Sequence, residues 1–177
     1  MHFCLHPTMK SFDAALPHPD DTDRLGAALA QGALACREAI AADGLALRLE
    51  GNLGAGKTSL IRAMLRALGW QGPVKSPTFS LLETYRANGI AVNHFDFYRF
   101  EAPEEFDDAG FRDLYGAGAL CASEWSCKAE PYLPPADLVV SLAPEGLGRR
   151  VHAEAMSASG KALLDAMEAA WTSNAAA

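Results

Sequence analysis

Apolar positions along this chain repeat with two periods. Leu60, Ile61, Met64, Leu65 and Leu68 fall at three- and four-residue spacings, which predicts a helix over residues 57–68 that Gly69 stops. Leu25, Leu29 and Leu34 predict another running to about residue 41, with Asp21 or Thr22 placed to cap it. Short apolar runs over 45–50, 119–125, 138–142 and 150–155 read as strands. Two more, 79–86 and 90–97, flank Asn88-Gly89, a dipeptide suited to a tight hairpin. An acidic helix is expected to open at Pro103, and a terminal helix spans 157–171.

Mixed helices and strands predict an α/β fold: a single domain with a mainly parallel sheet, an antiparallel hairpin and flanking helices. Residues 1–19 contain three prolines and show no strong period, so they read as an extended or frayed lead-in. The domain is expected over 20–171, with 172–177 a frayed tail.

The run Gly51-Asn52-Leu53-Gly54-Ala55-Gly56-Lys57-Thr58 fills every fixed position of the phosphate-loop pattern, after a strand and before a helix. Its glycines let successive backbone N–H groups turn inward as a nest, against the positive end of the helix. Lys57 supplies a compact charge for the β- and γ-phosphates, and Thr58 a hydroxyl for Mg²⁺, with Ser59 following. The domain therefore reads as a P-loop NTPase, and a purine nucleoside triphosphate with Mg²⁺ is the expected ligand. Such sites also need a carboxylate near the metal and the attacking water. Asp96 and Glu124 both end apolar strands, where a parallel sheet gathers its ligand groups. Either also reads as an ordinary exposed acid at a strand end, and the spacing does not say which lies nearer the metal. Pro77 stiffens a loop in which Thr78 offers a hydroxyl, as a γ-phosphate sensor or as a plain Ser-Pro turn. His94 reads as a packed strand histidine. Trp125 reads as core, or as a stacking surface at the site mouth.

Composition narrows the remainder. Half the residues are apolar and 21% are charged, as in an ordinary globular protein. A net charge of −7 argues against wrapping nucleic acid. Charge is uneven, with six acids and one arginine between Glu101 and Asp113. That stretch is a solvated helix face or a docking surface for a basic partner. Arg99, just before it, is expected to pair with its acids. Cys4, Cys36, Cys121 and Cys127 lack metal or disulfide spacing and read as reduced, mostly buried thiols. No apolar run is long enough to span a bilayer, and the cytoplasm is the working location.

Together the phosphate loop, Val74-Lys75-Ser76-Pro77-Thr78-Phe79, His94-Phe95-Asp96-Phe97-Tyr98-Arg99 and Glu124-Trp125 resemble the bacterial tRNA threonylcarbamoyladenosine-biosynthesis ATPases of the TsaE type, over residues 22–150. The resemblance implies ATP and Mg²⁺ as cofactors. It implies a TsaD-like threonylcarbamoyl transferase and its TsaB-like paralogue as partners, with tRNA involved only indirectly and no membrane. ATP hydrolysis then resets that complex between cycles. It carries phosphate and metal contact to Lys57, Thr58 and Glu124, turnover to Asp96 and an aromatic neighbour of the site to Trp125. Thr22 falls near the adenine, and Arg149 or Arg150 beside the nucleotide. Ser123, Phe97 and Phe100 depart from the usual pattern without touching phosphate chemistry. A small P-loop kinase is the alternative, although Arg149-Arg150 is the only late arginine-rich segment for a lid; a GTPase would need Asn-Lys-x-Asp, which is missing.

Lys57→Ala removes the loop's one fixed side-chain cation. ATP affinity is expected to fall at least tenfold, about 1.4 kcal/mol, by titration calorimetry. Equal affinity would sink the phosphate-loop assignment.

Overall fold

The computed structural model describes residues 9–175. Its elements run β1 (Lys10–Leu16), α1 (Pro19–Ala35), α2 (Arg37–Asp43), β2 (Leu45–Glu50), α3 (Lys57–Ala67), β3 (Leu82–Ala87), β4 (Ile90–Asp96), α4 (Glu105–Asp108), β5 (Ala119–Glu124), β6 (Leu138–Glu145), β7 (Gly148–Ala155) and α5 (Ala158–Ala175). The seven strands form one sheet in the order β1-β7-β6-β2-β5-β4-β3. Its four central strands, β6-β2-β5-β4, are parallel. Antiparallel pairs close both flanks, β3 on β4 at one side and β6-β7-β1 at the other. Asn88 and Gly89 both take positive φ, as the tight turn between β3 and β4 demands.

Alternation within the strands sorts side chains onto two faces. Leu45, Leu47 and Leu49 of β2, with Leu120 and Ala122 of β5, join α1, α3 and α5 in the main core. The opposite face is covered over β4 and β5 by an aromatic cluster of Phe95, Phe97, Phe100, Phe106 and Phe111. Facing the helices, β4 runs Ile90, Val92, His94, Asp96, all buried. The same strand face therefore changes from apolar to ionisable toward its C-terminal end.

Several boundaries differ from the sequence reading. Lys10–Leu16, expected in an extended or frayed lead-in, is an edge strand that buries Phe12 and Leu16. Residues 1–8 lie outside the described residues, and so does Cys4. α1 begins at Pro19, where the Asp21 carboxylate accepts the His18 N–H at 2.9 Å, so Thr22 lies inside the helix rather than capping it. One expected helix is two, divided at Cys36. β3 starts at Leu82 because residues 75–81 form a loop, and Leu81 sits at φ 67°. α5 extends to Ala175, past the expected fraying point; 176–177 lie outside the described residues. Cys36 and Cys121 are buried, and burial pushes the Cys121 thiol up to about 12, while Cys127 is exposed.

The helix α3 that opens at the phosphate loop is braced by α1. They meet so closely that a Cβ on Gly26 would land on Cβ of Ala63. Gly26→Ala gains about 1 kcal/mol of helix propensity. Overpacking costs about 1–3 kcal/mol. Clash should win, lowering Tm by a few degrees in calorimetry; a raised Tm would show that the helices separate freely.

Candidate nucleotide-binding site

The loop after β2 starts between β5 and β6, at the C-terminal ends of the parallel strands. Gly56 caps α3 at φ 105°, a conformation that side-chain-bearing residues rarely adopt. That turn leaves the first N–H groups of α3 without intrahelical acceptors, a ready site for an anion. Lys57 is only 5% exposed. Its Nζ donates to the Gly51 carbonyl and lies 4.2 Å from the centroid of the Trp125 ring. A buried ammonium needs compensation, and a carbonyl and a π face give part of it. A phosphate would complete it. Trp125 itself is held at φ 57°, the kind of strained backbone that a site maintains through its surroundings.

Asp96 and Glu124 stand opposite each other in the β4–β5 register, each 3% exposed. Oε1 of Glu124 accepts two hydrogen bonds, from Thr58 Oγ1 at 2.9 Å and from His94 Nε2 at 2.8 Å. Asp96 Oδ1 accepts the Tyr98 N–H at 2.9 Å, and Oδ2 accepts Thr78 Oγ1 at 3.0 Å. The Ser76 and Thr78 hydroxyls are 2.8 Å apart. The 75–81 loop is thereby tied to one acid and the phosphate loop to the other. Two buried carboxylates outnumber the one lysine, which favours a cation between them. Hydroxyl and carboxylate oxygens suit a hard ion such as Mg²⁺, which keeps waters and phosphate oxygens as its other ligands. No group of three or more His, Cys, Asp or Glu able to hold a metal exists among the described residues.

Leu53, Gly54, Ala55, Gly56, Lys57, Thr58, Ser59, Thr78, Asp96, Glu124, Trp125 and Arg149 all line one cleft of about 260 Å³. Asn52 lies exposed in the loop and outside that lining. Leu53 is 77% exposed at the rim. Arg149 packs its guanidinium on Gly56, where a Cβ would collide with it. Its Nη1 donates to Thr22 Oγ1 at 3.2 Å. Thr22 is absent from the first cleft; it lines a neighbouring one of about 610 Å³ with Ser59, Arg62 and Arg149. Arg149 and Ser59 border both. Arg150 instead pairs with Glu145 at 2.9 Å.

Sequence reasoning missed Ser76 and Tyr98, which also line the cleft. The Tyr98 ring lies 5.0 Å from that of Trp125. Its signal was the alternation continuing beyond Asp96. Arg99 does not pair with the following acids; it stacks 3.8 Å from the Phe79 ring centroid. Arg112 takes the ion pair there, with Asp107 at 2.9 Å. His94 is packed, as expected, but it is also bonded to an acid of the site.

The family model for the threonylcarbamoyl adenosine biosynthesis protein TsaE matches residues 16–151. The chain belongs to the TsaE family. Among similar proteins, the tRNA threonylcarbamoyladenosine biosynthesis protein TsaE of Haemophilus influenzae is 42% identical over 118 residues, 67% of this chain and 75% of that one. Its namesake in Bacillus subtilis is 34% identical over 108 residues, covering 61% and 67%. A crystal structure of Bacillus subtilis YdiB superposes with a TM-score of 0.71 over 90% of this chain and 95% of the other. At 23% identity that likeness speaks for the fold. Membership of the TsaE family makes this a P-loop-type nucleotide-binding protein.

Within that site the acids are built differently from the cradle. Backbone N–H groups at the start of α3 and the Lys57 ammonium are suited to phosphate, whereas Asp96 and Glu124 are tied to the hydroxyls of Thr78 and Thr58. Asp96→Ala and Glu124→Ala should therefore damage turnover more than nucleotide affinity. Single-turnover hydrolysis at saturating ATP checks this, with wild-type rates in both variants as the contrary result.

Proposed function

We propose that this chain binds ATP with Mg²⁺, hydrolyses it, and serves formation of N6-threonylcarbamoyladenosine in tRNA by resetting a complex of a TsaD-like transferase and its TsaB-like paralogue. The observation that carries the reading is the pair of buried carboxylates, one hydrogen-bonded to the phosphate-loop threonine and the other to the Thr78 loop. A protein that only bound nucleotide would not need the second acid. Family membership supports the tRNA-modification role. No helix among the described residues is long and apolar enough to cross a membrane.

In this reading Lys57 leaves the Gly51 carbonyl and the Trp125 face for the β- and γ-phosphates. Thr58 and Glu124 would hold Mg²⁺, which would neutralise charge on the phosphate oxygens. Asp96 and Thr78 orient a water toward the γ-phosphorus. The new O–P bond forms as the bridge to the β-phosphate breaks, and the water proton passes to Asp96 or a phosphate oxygen. Thr22, Arg149 and Ser59 border the space for nucleoside and α-phosphate. Arg149 touches the loop at Gly56, and no other arginine lines the phosphate cleft among the described residues. An isolated chain with one lysine and one arginine there should turn over slowly, because charge stabilisation on the moving phosphoryl group limits such reactions.

The transferase heterodimer is expected to raise steady-state hydrolysis at least tenfold, about 1.4 kcal/mol of barrier. Glu105 caps its own turn, accepting the Glu101 and Ala102 N–H groups at 2.7 and 2.8 Å. Charge reversal is therefore better made at Glu104 and Asp108, both exposed. Glu104→Lys with Asp108→Lys should reduce the stimulation at matched salt while ATP affinity holds. A fast rate from the chain alone, unchanged by the heterodimer, would favour a self-sufficient kinase-like enzyme.

A further inference from the structure

His94 is fully buried in β4, opposite Ala122 of β5, whose small side chain leaves room for an imidazole. It shares the helix-facing side of β4 with Val92 and Asp96. Nε2 lies 2.8 Å from Glu124 Oε1, the same oxygen that accepts Thr58 Oγ1 at 2.9 Å. Glu124 Oε2 takes no hydrogen bond from a described residue. His94 Nδ1 is buried without a partner.

These contacts define the tautomer. An ionised carboxylate only accepts, so the ring nitrogen facing it must carry the proton. Nδ1 has no acceptor to reward a proton there. With two donors on Oε1, the carboxyl group cannot rotate without breaking one of them. Oε2 is then the oxygen left for a further ligand.

We propose that His94 is a positioning residue: as the Nε2–H tautomer it fixes Glu124 Oε1 jointly with Thr58, so that Oε2 is presented to the divalent cation of the bound nucleotide. This rests on the ATP–Mg²⁺ reading above. His94 touches neither nucleotide nor metal; it acts through Glu124. Partners of this kind orient metal-binding groups, and their loss typically costs about 10–100-fold in metal affinity or activity.

The test uses the full chain with His94→Leu, which keeps apolar bulk and removes the donor, and His94→Gln, which keeps an N–H donor. Mn²⁺ is the probe, titrated by electron paramagnetic resonance against the chain saturated with a non-hydrolysable ATP analogue. His94→Leu should weaken Mn²⁺ binding and lower kcat for ATP, each by about tenfold. ATP affinity measured in chelator should stay within about twofold of wild type, because the phosphate cradle is untouched. His94→Gln should recover most of both losses. A packing residue alone would lower Tm and leave the Mn²⁺ midpoint unmoved, so a wild-type midpoint in folded His94→Leu overturns the proposal. The ¹⁵N spectrum of the wild-type imidazole gives an independent reading even where a variant fails to fold: a proton on Nδ1 overturns the proposal, a proton on Nε2 supports it. A wild-type chain that binds no Mn²⁺ with the analogue and hydrolyses no ATP sinks the ATP–Mg²⁺ reading instead, and the spectrum still decides whether His94 holds Glu124 as described.

Discussion

Three ionisable side chains, Lys57, Asp96 and Glu124, are no more than 5% exposed within one cleft. Burying them without partners would cost several kcal/mol per ion. Much of the surrounding architecture serves to satisfy them. Hydroxyls of Thr58 and Thr78, the His94 ring, the Tyr98 N–H and the Gly51 carbonyl each meet one of the three. These partners come from the β2–α3 loop, the first turn of α3, the 75–81 loop, β4 and the chain just after it. The parallel register that sets Asp96 beside Glu124 is what brings so many segments to one place.

The aromatic cluster on the other face of the sheet keeps that register firm. Phe95 and Phe97 lie 5.7 Å apart on either side of Asp96 in sequence, both fully buried. The Phe97 N–H continues the pairing by donating to the Glu124 carbonyl at 3.1 Å. Packing thus extends one residue beyond the acids, so neither sits on a frayed strand end. The strand supplies its charged groups to one side while its phenylalanines anchor it from the other.

Much of this was legible in the chain because local chemistry carries it. The phosphate loop, the Asn88-Gly89 hairpin and the two strand-ending acids are short-range patterns whose meaning does not depend on distant neighbours. β1 was harder to see: only alanines and Asp13 separate Phe12 from Leu16, prolines at 17 and 19 follow closely, and the partner strand β7 lies about 140 residues away. The contact of Arg149 with Gly56 and Thr22 joins three segments remote in sequence, so motif matching gave only its neighbourhood. The Arg99 expectation failed for a related reason. Charge counting favoured the adjacent acids, while the fold offered the ring of Phe79. His94 shows the same limit, since one imidazole in a strand looks alike whether or not a carboxylate waits across the ladder.

Among the described residues, the open sheet of seven strands ends at two borders, β1 and β3. Such borders are templates for another chain unless something spoils them. Along β1 the charges are Lys10 and Asp13, with Pro17 just after the strand; along β3 they are Glu83 and Arg86. Lys10 is itself engaged by Asp165 and Glu168 of α5, both at 2.5 Å, which ties one border to the body of the protein. Growth of the sheet by stacking identical molecules edge to edge would bring these charges out of water on both sides. Charged side chains and a nearby proline are features that discourage such edge-to-edge growth, so the borders carry their own safeguard.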